Sequence, residues 1–254
     1  MIQIYFKNPS NPTFSKASLK AQQEVEKYQN LKAILNLLSS FEKFSSLLSS
    51  NLRHDAFIAF FQGLDLLFDT LNLDALTFPK LNDKFFLLLR DICQDFSDEL
   101  SVIPPSSFHK LLSSLKLGIT RDTSKIIRAS LFAIECLAKS HFSGQTLNKQ
   151  LEAAPNIFNN LFKWTFDAIL ENTSSLDMID QFASTIFTCI CAHKPSFMAF
   201  ANSMIQSAKT ENQAKLTNFF KALLEGLQPV VNESTISDFY NNLSLFLVNY
   251  KSLV

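Results

Sequence analysis

The stretch from Ser101 to Ser143 carries apolar residues at the three- and four-residue steps of two amphipathic helices. Pro104 and Pro105 open the first, because the fixed φ of proline suits a first helical turn. Gly118 ends its apolar stripe, which predicts a left-handed helix cap there. N-caps for the second helix are offered by Thr120, Asp122 and Thr123. The two stripes are Phe108, Leu111, Leu112, Leu115 and Leu117, and then Ile126, Ile127, Leu131, Phe132, Ile134 and Leu137.

The same periodicity extends along the chain and predicts about ten helices and no strand. Pairs of helices begin near residues 53, 105, 149 and 195. This spacing falls in the range of about 40–47 residues that is typical of HEAT-type repeats. Outside the first pair, the predicted helices span Ser15–Ser40, Asp55–Leu71, Lys80–Phe96, Leu147–Glu171 (or from Pro155), Leu176–His193, Pro195–Ser207, Glu211–Leu224 and Thr235–Val254.

These features predict an all-α fold, a HEAT-repeat-like α-solenoid in which antiparallel helix pairs stack into a right-handed superhelix. Residues 1–254 form one array of four to five pairs plus a closing helix, and the Ser-rich residues 41–53 are predicted to be a loop or a frayed helix end. A closed helical bundle is the alternative. We favour the solenoid because no helix is apolar on all sides.

Proline and glycine mark the predicted corners of the array. Helices are expected to begin at Pro79, Pro105 and Pro195. Helices are expected to end at Gly118, Gly144 and Gly226.

Composition supports this interpretation and removes several classes of function. Of the 254 residues, 47% are hydrophobic and 18% charged, so the chain is too apolar for a disordered protein. Lysine plus arginine equals aspartate plus glutamate at 23 each, so nothing attracts a nucleic acid or an anionic membrane in general. No apolar run approaches the roughly 18 residues of a membrane span. The cysteines, which are Cys93, Cys136, Cys189 and Cys191, are predicted to be core thiols in a reducing compartment.

Residues capable of chemistry occur, but their spacing does not favour a catalytic or metal site. Cys189, Cys191 and His193 cannot converge on a metal from one helix, since residues two positions apart point to nearly opposite sides. Ser106, Ser107 and His109 lack a nucleophile elbow, and no glycine-rich phosphate loop is present. We therefore predict no catalytic residues, no metal ligands and no cofactor, and a protein that is not an enzyme.

Acidic residues provide the most interesting candidate surface. Asp91 and Asp95 stand four residues apart on one predicted helix, so both lie on the same helical face. Asp65, Asp69 and Asp74 make a similar set on the preceding helix. These carboxylates would either receive a basic partner or form an ordinary solvated face.

One long segment resembles a known family. The segment reads LNDKFFLLLRDICQDFSDELSVIPPSSFHKLLSSLKLGITRDTSKIIRASLFAIECLA, with a Phe-rich helix, an acidic exit, an Ile-Pro corner and LKLGIT at Leu115–Thr120. It is similar to the C-terminal repeats of the exportin-4 family, nuclear transport receptors of the importin-β (karyopherin) superfamily. The exportin-7 type is a near neighbour. Similarity extends to EVEKYQNLKAILNLL upstream and to FYNNLSLFLVNY at the closing helix.

The resemblance implies an exportin that shuttles between nucleus and cytoplasm and binds protein cargo together with Ran in its GTP form. It implies cargo such as hypusine-containing translation initiation factor five A or Smad-type factors, contact with nucleoporins, and Ran binding through an N-terminal region with no counterpart here. Neither nucleic acid nor membrane insertion is expected. If second helices of the pairs line the concave face, Asp91 and Asp95 face cargo. The alternative is a generic helical-repeat scaffold for protein–protein interaction, unrelated to nuclear transport.

Overall fold

The structure, a computed structural model, describes residues 16–45, 50–70, 78–171 and 177–253. Within these ranges the chain forms eleven α-helices and no strand. A 3₁₀ turn, Glu99–Ser101, precedes α4. The helices are α1 (Lys16–Ser45), α2 (Ser50–Thr70), α3 (Pro79–Asp95), α4 (Pro105–Ile119), α5 (Ser124–Gly144), α6 (Asn148–Ala153), α7 (Ile157–Glu171), α8 (Ile179–Ala192), α9 (Lys194–Ser207), α10 (Thr210–Leu223) and α11 (Glu233–Lys251).

The helices pack in two rows. In one row α1 packs on α3, α3 on α5, α5 on α8, and α8 on α11. In the other, α2 packs on α4, α4 on α7, α7 on α9, and α9 on α10. Each row is held to the other by pairs such as α4 with α5 and α7 with α8. The predicted all-α helical-repeat fold is therefore confirmed, while the handedness of its superhelix stays a prediction.

Phenylalanine fills the space between the rows. Helix α7 is an example. Its residues Phe158, Phe162 and Phe166 lie four residues apart and are all 0% exposed. Because residues at this spacing share one face of a helix, the stripe buries three rings against neighbouring helices at once. No helix can bury such a stripe alone, which is why the pairs must stack.

At two predicted boundaries the structure agrees with one of two alternatives: α7 begins at Ile157, close to the predicted alternative start at Pro155. Residues 147–171 are divided into α6 and α7 because Ala154, which precedes Pro155, adopts φ −144° and ψ 83°. A residue before proline is pushed out of the helical region by a clash with the proline ring. Of the two alternatives for residues 41–53, a loop or a frayed helix end, the described part favours the helix. It is helical through Ser45 and again from Ser50, and residues 46–49 lie outside the described part.

The prolines predicted to begin helices do so, whereas two of the three glycines predicted to end helices do not act as helix caps. Proline stands at the first or second position of α3, α4 and α9, as predicted. Gly226, with φ 74°, takes the expected left-handed conformation after α10. Gly144 is still helical, and Gln145 adopts the left-handed cap instead, with φ 55°. Gly118 lies inside α4, so its predicted role as a cap is wrong.

Candidate protein-binding surface

The two predicted acidic residues lie on α3, half-exposed, but they do not form a purely acidic surface. Arg90 donates from Nη2 to Oδ1 of Asp91 at 2.6 Å and from Nε to the same oxygen at 2.8 Å. Asp95 lies close enough to Cys136 on α5 to contribute to raising the pKa of its thiol. A basic partner would therefore have to displace Arg90 from Asp91.

The second acidic set links two helices. Lys110 on α4 contacts Asp69 at 2.6 Å and Asp65 at 3.3 Å, both on α2. The hydrogen bond to Asp69 is the main reason that the pKa of Lys110 is raised. These carboxylates thus help to tie α2 to α4, while Asp74 lies outside the described residues.

A groove crosses α5 between α3 and α8, and we call it the α5 groove. Its volume is about 340 Å³. Leu87, Ala129 and Phe132 form its apolar surface, and Arg90 and Arg128 border it. It is completed by Lys125, Gln94 and Gln181. The α5 residues stand at positions i, i+3, i+4 and i+7, so the groove follows one face of that helix.

The basic residues of the groove are held by carboxylates that lie outside it. Lys125 donates to Asp83 at 3.0 Å. Arg128 donates to the two carboxylate oxygens of Asp180 at 3.0 and 3.2 Å, and to the carbonyl of Asp177 at 2.9 Å. Sequence alone could not pair these residues, since 42 to 52 positions separate them.

A half-buried carboxylate fastens α5 to α8 beside the groove. Glu135 accepts hydrogen bonds from Gln181 Nε2 at 2.8 Å and from Ser184 Oγ at 2.7 Å. Burial raises the pKa of Glu135, and the two hydrogen bonds oppose that shift. Sequence analysis missed this residue because a single glutamate on an amphipathic helix carries no distinguishing pattern.

The cysteines lie where reactivity is low. All four are free thiols, with Cys93 and Cys189 buried and Cys136 and Cys191 half-buried. Burial raises the pKa of Cys136 to about 12 and that of Cys191 to about 11. Since the thiolate is the nucleophilic form, these groups are weak nucleophiles at neutral pH.

The other candidate residues have structural positions. His193 lies between α8 and α9, where its Nδ1 accepts a hydrogen bond from the backbone N–H of Ser196 at 3.3 Å. Ser107 is buried in the first turn of α4, whereas Ser106 and His109 are exposed. In the described residues, no group of three or more His, Cys, Asp or Glu side chains is arranged to hold a metal ion.

Two histidines sandwich a buried phenylalanine at the base of the α5–α6 corner. The ring of Phe158 lies 5.5 Å from that of His141 and 5.3 Å from that of His193. Nδ1 of His141 accepts from the backbone N–H of Leu147 at 3.2 Å, so this nitrogen is unprotonated. Burial, followed by the charge of His193, lowers the pKa of His141.

This arrangement predicts that the protein loses stability in mild acid. A histidine whose folded-state pKa is lowered stabilises the fold fully above its unfolded pKa of about 6.5, and that stability is lost as the pH falls below it. His141→Asn keeps an acceptor near the Nδ1 position but does not titrate. Urea unfolding at pH 7.5 and 5.5 should therefore show a smaller acid-induced loss in the variant. Equal losses in the variant and the native protein would rule out His141 as the cause.

No known protein-family model matches this chain. Among the described helices, none is both long and apolar enough to cross a membrane.

Proposed function

We propose that this chain is a segment of a nuclear transport receptor of the exportin-4 type, which acts by binding proteins and not by catalysis. In this proposal it contributes helical repeats to a receptor that carries protein cargo out of the nucleus with Ran in its GTP form. Nucleoporins and cargo such as hypusine-containing translation initiation factor five A are the proposed partners. The protein would then shuttle between nucleus and cytoplasm.

The observation that carries the proposal is that the segment resembling the exportin-4 family folds as three helices that pack against one another within the stack. That segment covers α3, α4 and α5, which pack closely on one another through Phe86, Gly118 and Ser130. Two rows of stacked helices suit a receptor of this class, because such proteins bind partners along the extended surface made by the stack. The α5 groove lies on that surface, whereas the candidate nucleophiles are either buried or half-buried thiols or isolated hydroxyls.

The geometry at Asp91 restricts the kind of cargo that could bind at the proposed contact with Asp91 and Asp95. Asp91 is paired with Arg90, so any partner at this site meets both charges. Mixed charge of this kind favours specificity and orientation over strong attraction.

The experiment that tests the proposal is capture on immobilised Ran of this chain joined to its upstream sequence, because the resemblance assigns Ran binding to an N-terminal region with no counterpart here. Capture should be greater on Ran loaded with GTP than on Ran loaded with GDP. A generic scaffold unrelated to transport would show no dependence on the nucleotide.

A further inference from the structure

We propose that protonation of His141 releases residues 145–154 from the stack while the remaining helices stay folded. These residues contain α6, and we call them the α6 segment. The fold thereby contains an acid-sensitive device in the corner between α5 and α7. It requires neither Ran nor cargo, because it depends only on contacts within the chain.

The α6 segment is joined to the last turn of α5 by the side chain of His141. This side chain is 1% exposed, and its Nδ1 accepts a hydrogen bond from the backbone N–H of Leu147 at 3.2 Å. The neutral ring therefore carries its proton on Nε2, and a second proton must bind at Nδ1. Two N–H donors would then face each other, and a charge would be buried. Protonation therefore replaces an attractive contact by a repulsive one.

The α6 segment has little stability of its own. Helix α6 has only six residues, whereas an isolated helix shorter than about 12–15 residues is marginal in water. Neither neighbouring helix continues into it, because Gln145 adopts the left-handed conformation with φ 55° and Ala154 leaves the helical region before Pro155. The position of the segment thus depends on the side chains that attach it to its neighbours.

A second attachment extends the effect beyond α5. Gln150 is buried, and its Nε2 donates to the backbone carbonyls of Ile103 at 3.0 Å and Leu100 at 3.3 Å. Both acceptors belong to the corner that precedes α4, and both of their side chains are buried. Departure of the α6 segment breaks these two hydrogen bonds and admits water to Leu100 and Ile103. The protonation state of His141 thus affects the corner between α3 and α4 as well.

The surroundings of His141 oppose its protonation while the α6 segment is in place. Its ring lies 5.5 Å from that of Phe158, and His193 stacks on the same phenylalanine at 5.3 Å. Burial and then the charge of His193 lower the pKa of His141. When the segment leaves, water reaches the ring and its pKa rises toward about 6.5. Protonation and opening therefore favour each other.

The charged side chains around His141 do not balance a cation there. On the neighbouring elements these are Lys149 and Glu152 on α6, Asp98 and Glu99 at the 3₁₀ turn, and Lys194 on α9. In the part of the chain that the structure describes, His193 is the titratable group whose charge acts on the pKa of His141. A proton on His141 would thus create a buried charge with no carboxylate to pair with it.

Amide hydrogen exchange, measured by mass spectrometry at pH 7.5 and 5.5, tests this device. Protection factors correct for the intrinsic pH dependence of exchange. Because a histidine in the open state has a pKa of about 6.5, acid favours the open state by up to about tenfold over this range. Protection of the α6 segment should therefore fall by about three- to tenfold at pH 5.5.

Matched variants and urea identify the cause and the extent of the opening. In His141→Asn, whose Oδ1 can still accept from the N–H of Leu147, the acid-induced fall should be less than about twofold. In His109→Asn, which removes an exposed histidine of α4, the fall should equal that of the native protein. Addition of about 1 M urea should reduce the protection of α11 much more than that of the α6 segment, because local opening exposes little surface.

Three results would overturn the proposal. These are an equal acid-induced fall in His141→Asn and the native protein, an equal response of α11 and the α6 segment to urea, and a His141 ring signal in NMR that titrates outside the pH range of the fall. The ring signal of the native protein decides the matter even where His141→Asn does not fold. None of these results depends on Ran, so the proposed transport function is tested separately.

Discussion

Gly118→Ala should destabilise the protein by about 3 kcal/mol, at the upper end of the usual cost of overpacking a core. A Cβ at this position would lie 2.0 Å from Ser130 Oγ and 2.5 Å from Phe86 Cε1. Ser130 is 0% exposed and Phe86 is 1% exposed, so neither side chain has free space into which to move. The alanine would therefore force α3, α4 and α5 apart at the point where the three helices meet.

Urea unfolding of Gly118→Ala should be compared with that of Gly63→Ala. Gly63 lies inside α2, and a Cβ there would lie 3.4 Å from Leu38 Cδ2, an ordinary contact distance. Alanine favours the helix over glycine, so Gly63→Ala should leave stability unchanged or raise it by up to about 1 kcal/mol. Equal effects at the two glycines would show that close packing is not the reason for Gly118.

Phe166→Ala should cost about 3–5 kcal/mol, the usual range for removing a buried aromatic side chain. Phe166 is 0% exposed, and its ring centroid lies 4.9 Å from that of Phe200, 5.9 Å from that of Phe246 and 6.3 Å from that of Phe220. It joins α7 to α9, α10 and α11. Its loss leaves a cavity that four helices cannot close without moving together.

Phe142→Ala is the matched control for this prediction. Phe142 is 37% exposed on α5, so its truncation creates little cavity and should cost much less than that of Phe166. Thermal unfolding followed by circular dichroism measures both variants. Similar shifts in Tm for the two would contradict the central role of Phe166 in the last repeats.

The helices themselves could be predicted because apolar residues recur at helical spacing and because proline marks their starts. Pro79 and Pro105 each occupy the first position of a helix, where a missing N–H carries no cost. Glycine was less informative, since it serves both for a left-handed backbone and for close approach of neighbours. Gly118 belongs to the second case, and only the positions of Phe86 and Ser130 reveal it.

The candidate surface was harder to predict for a related reason. Asp91 is visible in the sequence as part of an acidic pair, but its partner Arg90 alters what the surface presents. The contact of Arg128 with Asp180 joins residues 52 positions apart, and the α5 groove exists only because α3, α5 and α8 pack side by side. Periodicity predicts which face of a helix is buried, and it carries no information about which charges meet across the exposed faces.

The central proposal is that the chain forms part of a protein-binding receptor of the nuclear transport type. The most direct measurement uses this chain joined to its upstream sequence. It is the amount of that protein captured on Ran loaded with a non-hydrolysable GTP analogue, relative to the amount captured on Ran loaded with GDP. The account predicts capture at least about tenfold greater on the GTP form, because a transport receptor must bind the two states of Ran with different affinity. Equal capture on both forms, or none on either, would contradict it.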